Sequence, residues 1–173
     1  MEDRDVYSPP ESQLEKPETG PQLASRWSRF WGAMIDGLIG MAISMPVLIM
    51  VGYWDRAMAQ QITPMETVMG AIFGFTMFIV VHGYFLSRDG QTIGKKLVGT
   101  RIVSAESNEL LPLWKILFAR YLPISVVANI PLAGTGLLIV NYLFIYRKDK
   151  RCLHDLVAGT KVIRAREPEP ESA

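Results

Sequence analysis

Arg29 and Asp36 are the two residues of this 173-residue chain whose type and spacing could do chemistry. Residues 30–53 are almost all apolar, small or aromatic, and they are numerous enough to cross a bilayer as a helix. Asp36 lies about two turns inside this run and Arg29 precedes it by seven residues, so both side chains leave one helix face. A carboxylate at that depth costs several kcal/mol unless it is paired or faces water. The pattern therefore predicts a buried polar site in a membrane protein, either a structural ion pair or a proton-exchanging group.

Five more polar residues lie in or beside apolar segments and could join that site. His82 can carry a proton or simply hydrogen-bond to a neighbour. Arg120 can meet a charged partner or extend its guanidinium to the membrane surface. Asn141 lies in the middle of the last apolar stretch, where its amide requires a partner on another helix. His154 and Asp155 follow that stretch, and they either belong to the polar site or cap a turn.

The composition indicates an integral membrane protein with two polar tails. Hydrophobic residues make up 49% of the chain and cluster in blocks, whereas a soluble core spreads them at helix or strand periods. Residues 1–23 are acidic and rich in proline, and residues 166–173 have a similar character, so both tails are predicted to be disordered. Residues 24–165 then form one membrane domain. Its first span is expected to serve as the insertion signal, because no cleavable signal pattern opens the chain.

Four apolar helices are predicted, at about 30–53, 66–87, 113–128 and 133–147. The first two are long enough to cross a bilayer completely. The third apolar block, 116–146, is too long for one span and is interrupted by Asn129, Pro131 and two glycines. It is expected to form two short helices, which either cross the membrane thinly or enter and return as a hairpin. The expected fold is thus an all-α membrane protein.

The distribution of basic residues predicts that both termini are cytoplasmic. Arg26 and Arg29 flank the start of the first span, lysines and arginines fill residues 88–115, and seven basic residues follow the third block. The link between the first two spans has one, Arg56. Basic segments stay on the cytoplasmic side of a membrane. We therefore expect a multi-pass protein of the plasma (inner) membrane with an even number of crossings.

Short segments rich in β-branched residues predict a small β-element on the cytoplasmic side. Residues 97–104 have strand-like composition and are followed by a turn signal. Residues 110–113 could return as a short strand, and the alternating segment 160–164 could add another. Such an insert is either a structural platform or a rigid linker.

Small residues on the first two spans predict that these helices pack face to face. In the first span they share a stripe with Arg29 and Asp36, and the second span contains a GxxxG pattern. GxxxG is frequent by chance in apolar helices, so the two stripes together carry the prediction. The glycines expected in the interface are Gly32, Gly37, Gly40, Gly70 and Gly74.

Enzymatic and cofactor chemistry is not predicted. The segment 90–96 resembles a phosphate-binding loop, but it has three residues between its glycines where four are needed, and Lys96 where Ser or Thr should be. Two histidines and the single Cys152 give no metal-site spacing. The pair His154-Asp155 has no serine or cysteine nucleophile beside it in sequence. We expect no enzyme activity, no cofactor, no metal and no nucleic-acid partner.

The segment RFWGAMID (29–36), followed far downstream by LHDLVAGT (153–160), resembles the RDD family of membrane proteins. That family is named for one arginine and two aspartates, and Arg29, Asp36 and Asp155 match them. The segment GQTIGK (90–95) and the stretch after it are also similar to the family, so the resemblance covers about residues 24–165. It implies that Arg29, Asp36 and Asp155 form the family motif and a transport site, if the protein transports.

The resemblance leaves two hypotheses for the function. The family is largely uncharacterised and suspected of transport, with members proposed as cation/proton antiporters and others found as modules of larger assemblies. The first hypothesis is a small oligomeric transporter of ions or small solutes, with coupled protonation of Asp36. The second is a non-transporting module that assembles with or stabilises partner membrane proteins. Expected partners are therefore the lipid bilayer and either further copies of the chain or other membrane proteins.

Overall fold

A computed structural model of the protein describes residues 21–130 and 133–165. The chain is mostly helical, with two long apolar helices and a small two-stranded sheet. The helices are α1 (Arg26–Met50), α2 (Tyr53–Met58), α3 (Pro64–Asp89), α4 (Ile93–Leu97), α5 (Leu113–Lys115), a π-helix (Ile116–Tyr121), α6 (Leu122–Ala128), α7 (Ala133–Leu143), a 3-10 turn (Phe144–Tyr146) and α8 (Leu153–Val157). The strands are β1 (Thr100–Ser104) and β2 (Thr160–Arg164). The predicted tails lie outside the described residues, apart from 21–23.

Local capping sets the ends of α1, which is long and apolar enough to cross a membrane. The helix begins at Arg26, earlier than the predicted span, because the Ser25 side chain accepts a hydrogen bond from the Ser28 amide and caps it. It ends at Met50, earlier than predicted, because Gly52 adopts a left-handed conformation (φ 65°) that stops the helix. The apolar run of the sequence therefore extends past the helix itself.

Helix α3 is the second helix with the length and apolar character of a membrane span. Thr63 and Glu66 cap its start reciprocally, since the Thr63 side chain accepts from the Glu66 amide and the Glu66 carboxylate from the Thr63 amide. Pro64 occupies the first position, where its missing N–H is not needed. The helix ends at Asp89, before Gly90 with φ 66°. These caps add two residues to each end of the predicted span.

The third apolar block forms two shorter helical stretches, 113–128 and 133–146, on either side of a break. The first contains a π-helix just before Pro123. Proline has no N–H to donate and its ring clashes with the preceding turn, which is a physical reason for the wider turn at this place. The two stretches pack tightly, because a Cβ added at Gly134 would lie 2.5 Å from the Val127 carbonyl oxygen.

The strands β1 and β2 pair antiparallel, with Ile102 opposite Val162. Leu23 adds a bridge to Ile163 on the other edge of β2, and the Ala24 amide donates to the Val162 carbonyl at 3.0 Å. Residues 21–23, which the sequence placed in the disordered tail, therefore reach the sheet because β2 offers an unpaired edge.

The predicted β-element is smaller than its sequence indicated. Residues 110–113 do not form a strand: Leu113 begins α5 after Pro112, and only the Glu109 carbonyl pairs with β1, through the Ser104 amide at 2.9 Å. The start of the segment 97–104 is not a strand either, because Leu97 ends α4 and the chain turns at Gly99, with φ 64°. The β-branched residues predicted the two strands correctly, but they did not predict the turns at which the strands begin and end.

The core lies where the ends of the long helices meet the sheet. Its fully or almost fully buried apolar residues are Ala24, Leu86, Ile102, Ile116, Leu117 and Val162. In contrast, none of the most apolar part of α1 and only 11% of that of α3 is buried. This distribution is what two lipid-facing helices joined to a folded cap would show. Together with their length, it suggests a membrane protein.

The prediction that the glycines of α1 and α3 pack against each other is wrong. A Cβ added at Gly37, Gly40 or Gly74 would meet nothing within 4 Å in the described part of the chain. Gly32 instead faces α4, where its Cβ would lie 3.2 Å from Val98, and Gly70 faces Tyr53 at 3.5 Å. Helix α1 packs chiefly on α4 rather than on α3, because Asp36 and Arg29, in its first three turns, find their partners there and in the sheet region.

Candidate functional site

Asp155 is the centre of a buried ionic cluster that we call the Asp155 clamp (Arg29, Arg120, Asp155 and Thr160). Its side chain has no exposed surface. Arg29 Nη1 lies 3.2 Å from Oδ2, and Arg120 Nη1 pairs with Oδ1. Thr160 Oγ1 donates to Oδ1 at 3.1 Å, and the Cys152 amide donates to Oδ2 at 3.1 Å. Both carboxylate oxygens are thus fully engaged, which is the condition for burying a charge.

The Asp155 clamp joins four separate elements of the fold. Arg29 comes from α1, Arg120 from the π-helix, Asp155 from α8 and Thr160 from β2. Arg29 Nη2 also donates to the Val162 carbonyl at 3.1 Å, and Arg120 Nη1 to Thr160 Oγ1 at 2.6 Å. Asp36 and Asp155 were the two acids predicted to pair with Arg29, and Asp155 is the one that does so. The alternative that Arg120 extends to the membrane surface is wrong, since its side chain is 5% exposed and paired.

Asp36 belongs to a second cluster, the Asp36 site (Asp36, His82, Thr92, Gly94 and Lys95). Its Oδ2 accepts from Thr92 Oγ1 at 2.5 Å and its Oδ1 from the Gly94 amide at 2.7 Å. His82 Nδ1 lies 3.9 Å from Oδ1 and Lys95 Nζ 3.8 Å from Oδ2. No arginine is paired with it among the described residues. The single cluster of Arg29, Asp36 and Asp155 that the sequence allowed is therefore divided in two.

The geometry at His82 identifies its neutral tautomer. The Ile93 amide donates to His82 Nδ1 at 3.3 Å, so that nitrogen carries a lone pair and the proton of the neutral ring sits on Nε2. The residue is 2% exposed and its ring contacts Phe78. Glycine at position 94 is required for the close approach of α4 to α1, because a Cβ there would overlap the Gly32 carbonyl and lie 2.8 Å from Asp36 Oδ1.

A cavity of about 180 Å³ opens beside the Asp36 site, between α1 and α3. Its polar groups are those of Asp36, His82 and Ser44, and Ser44 Oγ donates to the Gly40 carbonyl. The remaining lining is apolar or glycine: Gly40, Ile43, Gly74, Met77, Phe78 and Val81. Gly40 and Gly74 thus line a space rather than a helix contact, and the space has a carboxylate and an imidazole on its wall.

His154 and Asn141 form a contact between α8 and α7. Asn141 Oδ1 accepts from the His154 amide at 3.0 Å and lies 2.9 Å from His154 Nδ1, so this nitrogen carries the proton. Burial, with the positive charges of Arg120, Lys95 and Arg29, lowers the pKa of His154 to about 2. His154 is therefore neutral at physiological pH and holds α8 in place rather than carrying a proton.

Cys152, His154 and Asp155 bring three potential metal ligands within 4.8 Å of one another. The site does not suit a cation, because a guanidinium group already pairs with each oxygen of the fully buried Asp155 carboxylate. Burial also raises the pKa of the Cys152 thiol, which disfavours the thiolate that a metal needs. The chemistry of this donor set is that of an ionic clamp.

Four residues of the two clusters were not predicted as site residues: Thr92, Gly94, Lys95 and Thr160. All four lie in the segments 90–95 and 153–160 that carried the family resemblance. Each is at least 90% buried, a placement that no apolar periodicity signals in so short a segment. The proximity of these segments to Arg29 and Asp36 depends on tertiary contacts of 40 residues or more along the chain.

Comparison with known proteins places these residues in a family context. The chain is 30% identical over 148 residues to the uncharacterized protein YckC of Bacillus subtilis, covering 86% of this chain and 89% of that protein. It is 29% identical over 146 residues to an uncharacterized protein of Haemophilus influenzae, covering 82% and 78%. No solved structure matches the chain. The RDD family matches residues 23–159, which contain Arg29, Asp36 and Asp155, and the chain belongs to that family.

Proposed function

We propose that this protein is a multi-pass transporter of the plasma (inner) membrane that exchanges a cation for protons at the Asp36 site. Two helices with the length and apolar character of spans and membership of the RDD family support the membrane location. The distribution of basic residues supports cytoplasmic termini. The proposal contains no enzymatic step and no cofactor.

One observation carries the transport proposal: Asp36 and His82 meet at the end of the cavity between α1 and α3. A carboxylate that lines a cavity can accept either a proton or a cation, whereas the carboxylate of Asp155 is sealed by two arginines. The protonated carboxyl and the cation-bound carboxylate are mutually exclusive states. Alternation between these two states would couple the movement of a cation to that of a proton.

The Asp155 clamp has a structural part in this proposal. It fixes the inner end of α1, two turns from Asp36, against the sheet and the third apolar block. The carboxylate of Asp36 then stays at a constant position, while the parts of α1 and α3 around Gly40 and Gly74 make no close contact with each other there. A fixed inner site next to a space between helices suits alternating access.

Purified protein in sealed vesicles tests the proposal. A proton gradient with a pH dye inside should collapse when Na⁺ or K⁺ is added outside wild-type vesicles. Asp36→Asn should abolish this response while the protein stays folded, because the amide keeps the shape but cannot exchange a proton. Asp89→Asn is the matched control, since Asp89 is an acid at the exposed end of α3. Absence of cation-dependent proton movement in wild-type vesicles, for each of several cations, would overturn the proposal.

A second function is supported by the uncovered surface of the long helices. Large apolar side chains such as Leu38, Met41 and Ile72 are more than half exposed along α1 and α3. Lipid covers such surfaces in a monomer, and helices of other copies or of other membrane proteins cover them in an assembly. The chain would then be an assembly module, and cross-linking in native membranes that recovers a stable partner, without any flux from the purified chain, would favour this alternative.

A further inference from the structure

Two segments of the chain repeat each other at a distance of 60 residues. The segment RDGQTIGKKLVGTRIVS (88–104) aligns without gaps with KDKRCLHDLVAGTKVIR (148–164). Both contain an acid at the second position. Both also contain Gly-Thr where the strand begins, followed by a basic residue and two aliphatic residues. The motif GQTIGK (90–95) and the motif LHDLVAGT (153–160) thus lie in corresponding segments of two copies and overlap at three positions, 93–95 and 153–155.

The structure supports this correspondence residue by residue. In both copies a five-residue helix is followed by a glycine with φ 64°, Gly99 or Gly159, and then by a threonine that is 1% exposed. Gln91 Nε2 donates to the Thr100 carbonyl at 2.8 Å, and its counterpart Arg151 Nε donates to the Thr160 carbonyl at 2.9 Å. Such agreement in backbone conformation and hydrogen bonding is not expected from chance sequence similarity.

The order of the main elements also repeats in the described part of the chain. Each half consists of a helical pair, a five-residue helix and a strand: α1, α3, α4 and β1 in the first, and 113–128, α7, α8 and β2 in the second. In each half, the strand forms a backbone hydrogen bond with a residue that precedes the first helix of the other half. The Arg164 amide donates to the Gln22 carbonyl at 2.9 Å, and the Ser104 amide to the Glu109 carbonyl at 2.9 Å. An approximate two-fold axis therefore passes between β1 and β2.

Lys95 and Asp155 occupy the same position of the two copies. Both are buried, and each pairs with an opposite charge on the first helix of its own half. Lys95 Nζ lies 3.8 Å from the Asp36 carboxylate, and Asp155 pairs with the Arg120 guanidinium. In the first half the acid lies on the long helix and the base on the five-residue helix, and in the second half the two charges are exchanged. The acid that names the family at position 155 therefore has a basic counterpart in the first half.

We infer that Lys95 is a positioning residue of the Asp36 site, a tethered cation held beside the carboxylate where a transported cation would bind. The inference deepens the proposed function and rests on it for the role of Asp36. The charged groups that face Asp36 are Lys95 from α4 and His82 from α3. His82 offers a lone pair at Nδ1 to the Ile93 amide, so Lys95 is the fixed positive charge of the pair. Lys95 Nζ occupies the position beside the carboxylate that a transported cation would have to take.

A carbodiimide reaction tests this arrangement in the wild-type chain. The reagent adds to the carboxyl group of Asp36, and attack of the Lys95 amine on the activated carbonyl forms an amide and releases the reagent as a urea. Mass spectrometry of peptides should find an Asp36–Lys95 cross-link. The neighbouring Lys96 should give none with Asp36, because it is half exposed and its Nζ lies 3.5 Å from Asp89 instead. Absence of the Asp36–Lys95 cross-link would overturn the inference.

The fate of the activated carboxyl separates positioning from simple packing. With an excess of glycine methyl ester in solution, activated Asp36 of the wild type should still form the amide with Lys95, whereas in Lys95→Met it should take up the ester, because the tethered amine is gone. Lys96→Met should retain the Asp36–Lys95 cross-link. If Lys95→Met does not fold, Lys95→Gln takes its place. Equal uptake of the ester at Asp36 by the wild type and by the folded Lys95 variant would overturn the inference.

The two proposals fail in different ways. Uptake of the ester at Asp36 in Lys95→Met but not in the wild type, without cation flux from wild-type vesicles, supports Lys95 as the positioning residue and overturns transport. If flux is present, Lys95→Met should lower the apparent KM for the cation, because the competing ammonium is gone, and Lys96→Met should not. Flux with an unchanged KM, and with equal uptake of the ester by both proteins, keeps transport and overturns the role of Lys95.

Discussion

Asp36 and Asp155 carry the same functional group in opposite environments. Asp155 is enclosed by two guanidinium groups, a hydroxyl and an amide, and has no exposed surface. Asp36 accepts hydrogen bonds from Thr92 and Gly94, keeps 14% of its side chain exposed and lines a cavity. The first arrangement suits a permanent charge, and the second suits a charge that changes.

Removing the charge of Asp155 should destabilise the protein strongly. Asp155→Asn leaves two buried guanidinium groups without a counter-charge, and breaking a buried pair from one side costs about 3–5 kcal/mol. We expect a large fall in the yield of folded protein and in the thermal midpoint measured in detergent. Asp149→Asn is the control, because Asp149 pairs with the exposed Arg147 and should contribute less than about 1 kcal/mol. Similar midpoints for both variants would contradict the structural role of the clamp.

Lowering the pH should reduce the free energy of unfolding, because His154 is neutral in the folded protein and protonated in the unfolded chain. Its pKa is about 2 in the folded protein, so the unfolded chain binds a proton that the folded chain does not, at every pH between that value and about 6.5. Stability from this residue is therefore full above the unfolded pKa and falls as the pH drops, by up to about 1.4 kcal/mol per pH unit. Thermal midpoints measured from pH 7 to pH 4 should fall less steeply for His154→Gln than for the wild type. Parallel curves would show that His154 does not remain neutral on folding.

At the scale of single residues, the sequence identified the acids and bases but not the way in which they pair. A charge inside or at the edge of an apolar run is visible without a structure, which is why Asp36 and Arg29 could be singled out, whereas Asp155 was indicated by the family resemblance. Lys95 could not be predicted as a site residue, because it lies in a polar segment where a lysine is common. Its burial arises from the contact of α4 with α1. The 60-residue repeat contains a signal for it, because it aligns Lys95 with Asp155.

Among the structural elements, α4 depends most on close contact with its neighbour. Gly94→Ala should destabilise the protein by about 1–3 kcal/mol, because the new methyl group overlaps the Gly32 carbonyl and crowds the Asp36 carboxylate. Gly37→Ala should be neutral or stabilising by up to about 1 kcal/mol, since alanine favours helix and nothing lies within 4 Å of its Cβ. Thermal unfolding in detergent measures both. Equal effects of the two substitutions would contradict the α1–α4 contact.

The predicted and observed elements differ mainly at their ends. Apolar runs identified the long helices and the break in the third block, because burial or lipid exposure dominates there. The ends are set by single residues instead: Ser25 starts α1 early, Gly52 stops it, and Gly99 delays β1. The prediction that α1 and α3 meet through their glycines was wrong, because small residues permit close contact but do not require it.

For the molecule as a whole, the proposed orientation can be tested with single cysteines in a Cys152→Ala background. Gly20→Cys, Ala105→Cys and Pro168→Cys should react with a membrane-impermeant thiol reagent only after the cells are opened. Ala57→Cys, in the link between α1 and α3, should react in intact cells. These outcomes follow from the basic residues on either side of the apolar helices. Reaction of position 168 from outside would require an odd number of crossings.

The distance along the chain between Arg29 and Asp155 has a consequence for the synthesis of the protein. The two residues are 126 positions apart, so at 5–20 residues per second a ribosome adds Asp155 about 6–25 s after Arg29. During this interval the guanidinium of Arg29 has no Asp155 to pair with, and Arg120 joins it in the same condition. The Asp155 clamp can therefore form only after α8 has been synthesised. Any message truncated before residue 155 should yield a product that membrane proteases remove rapidly.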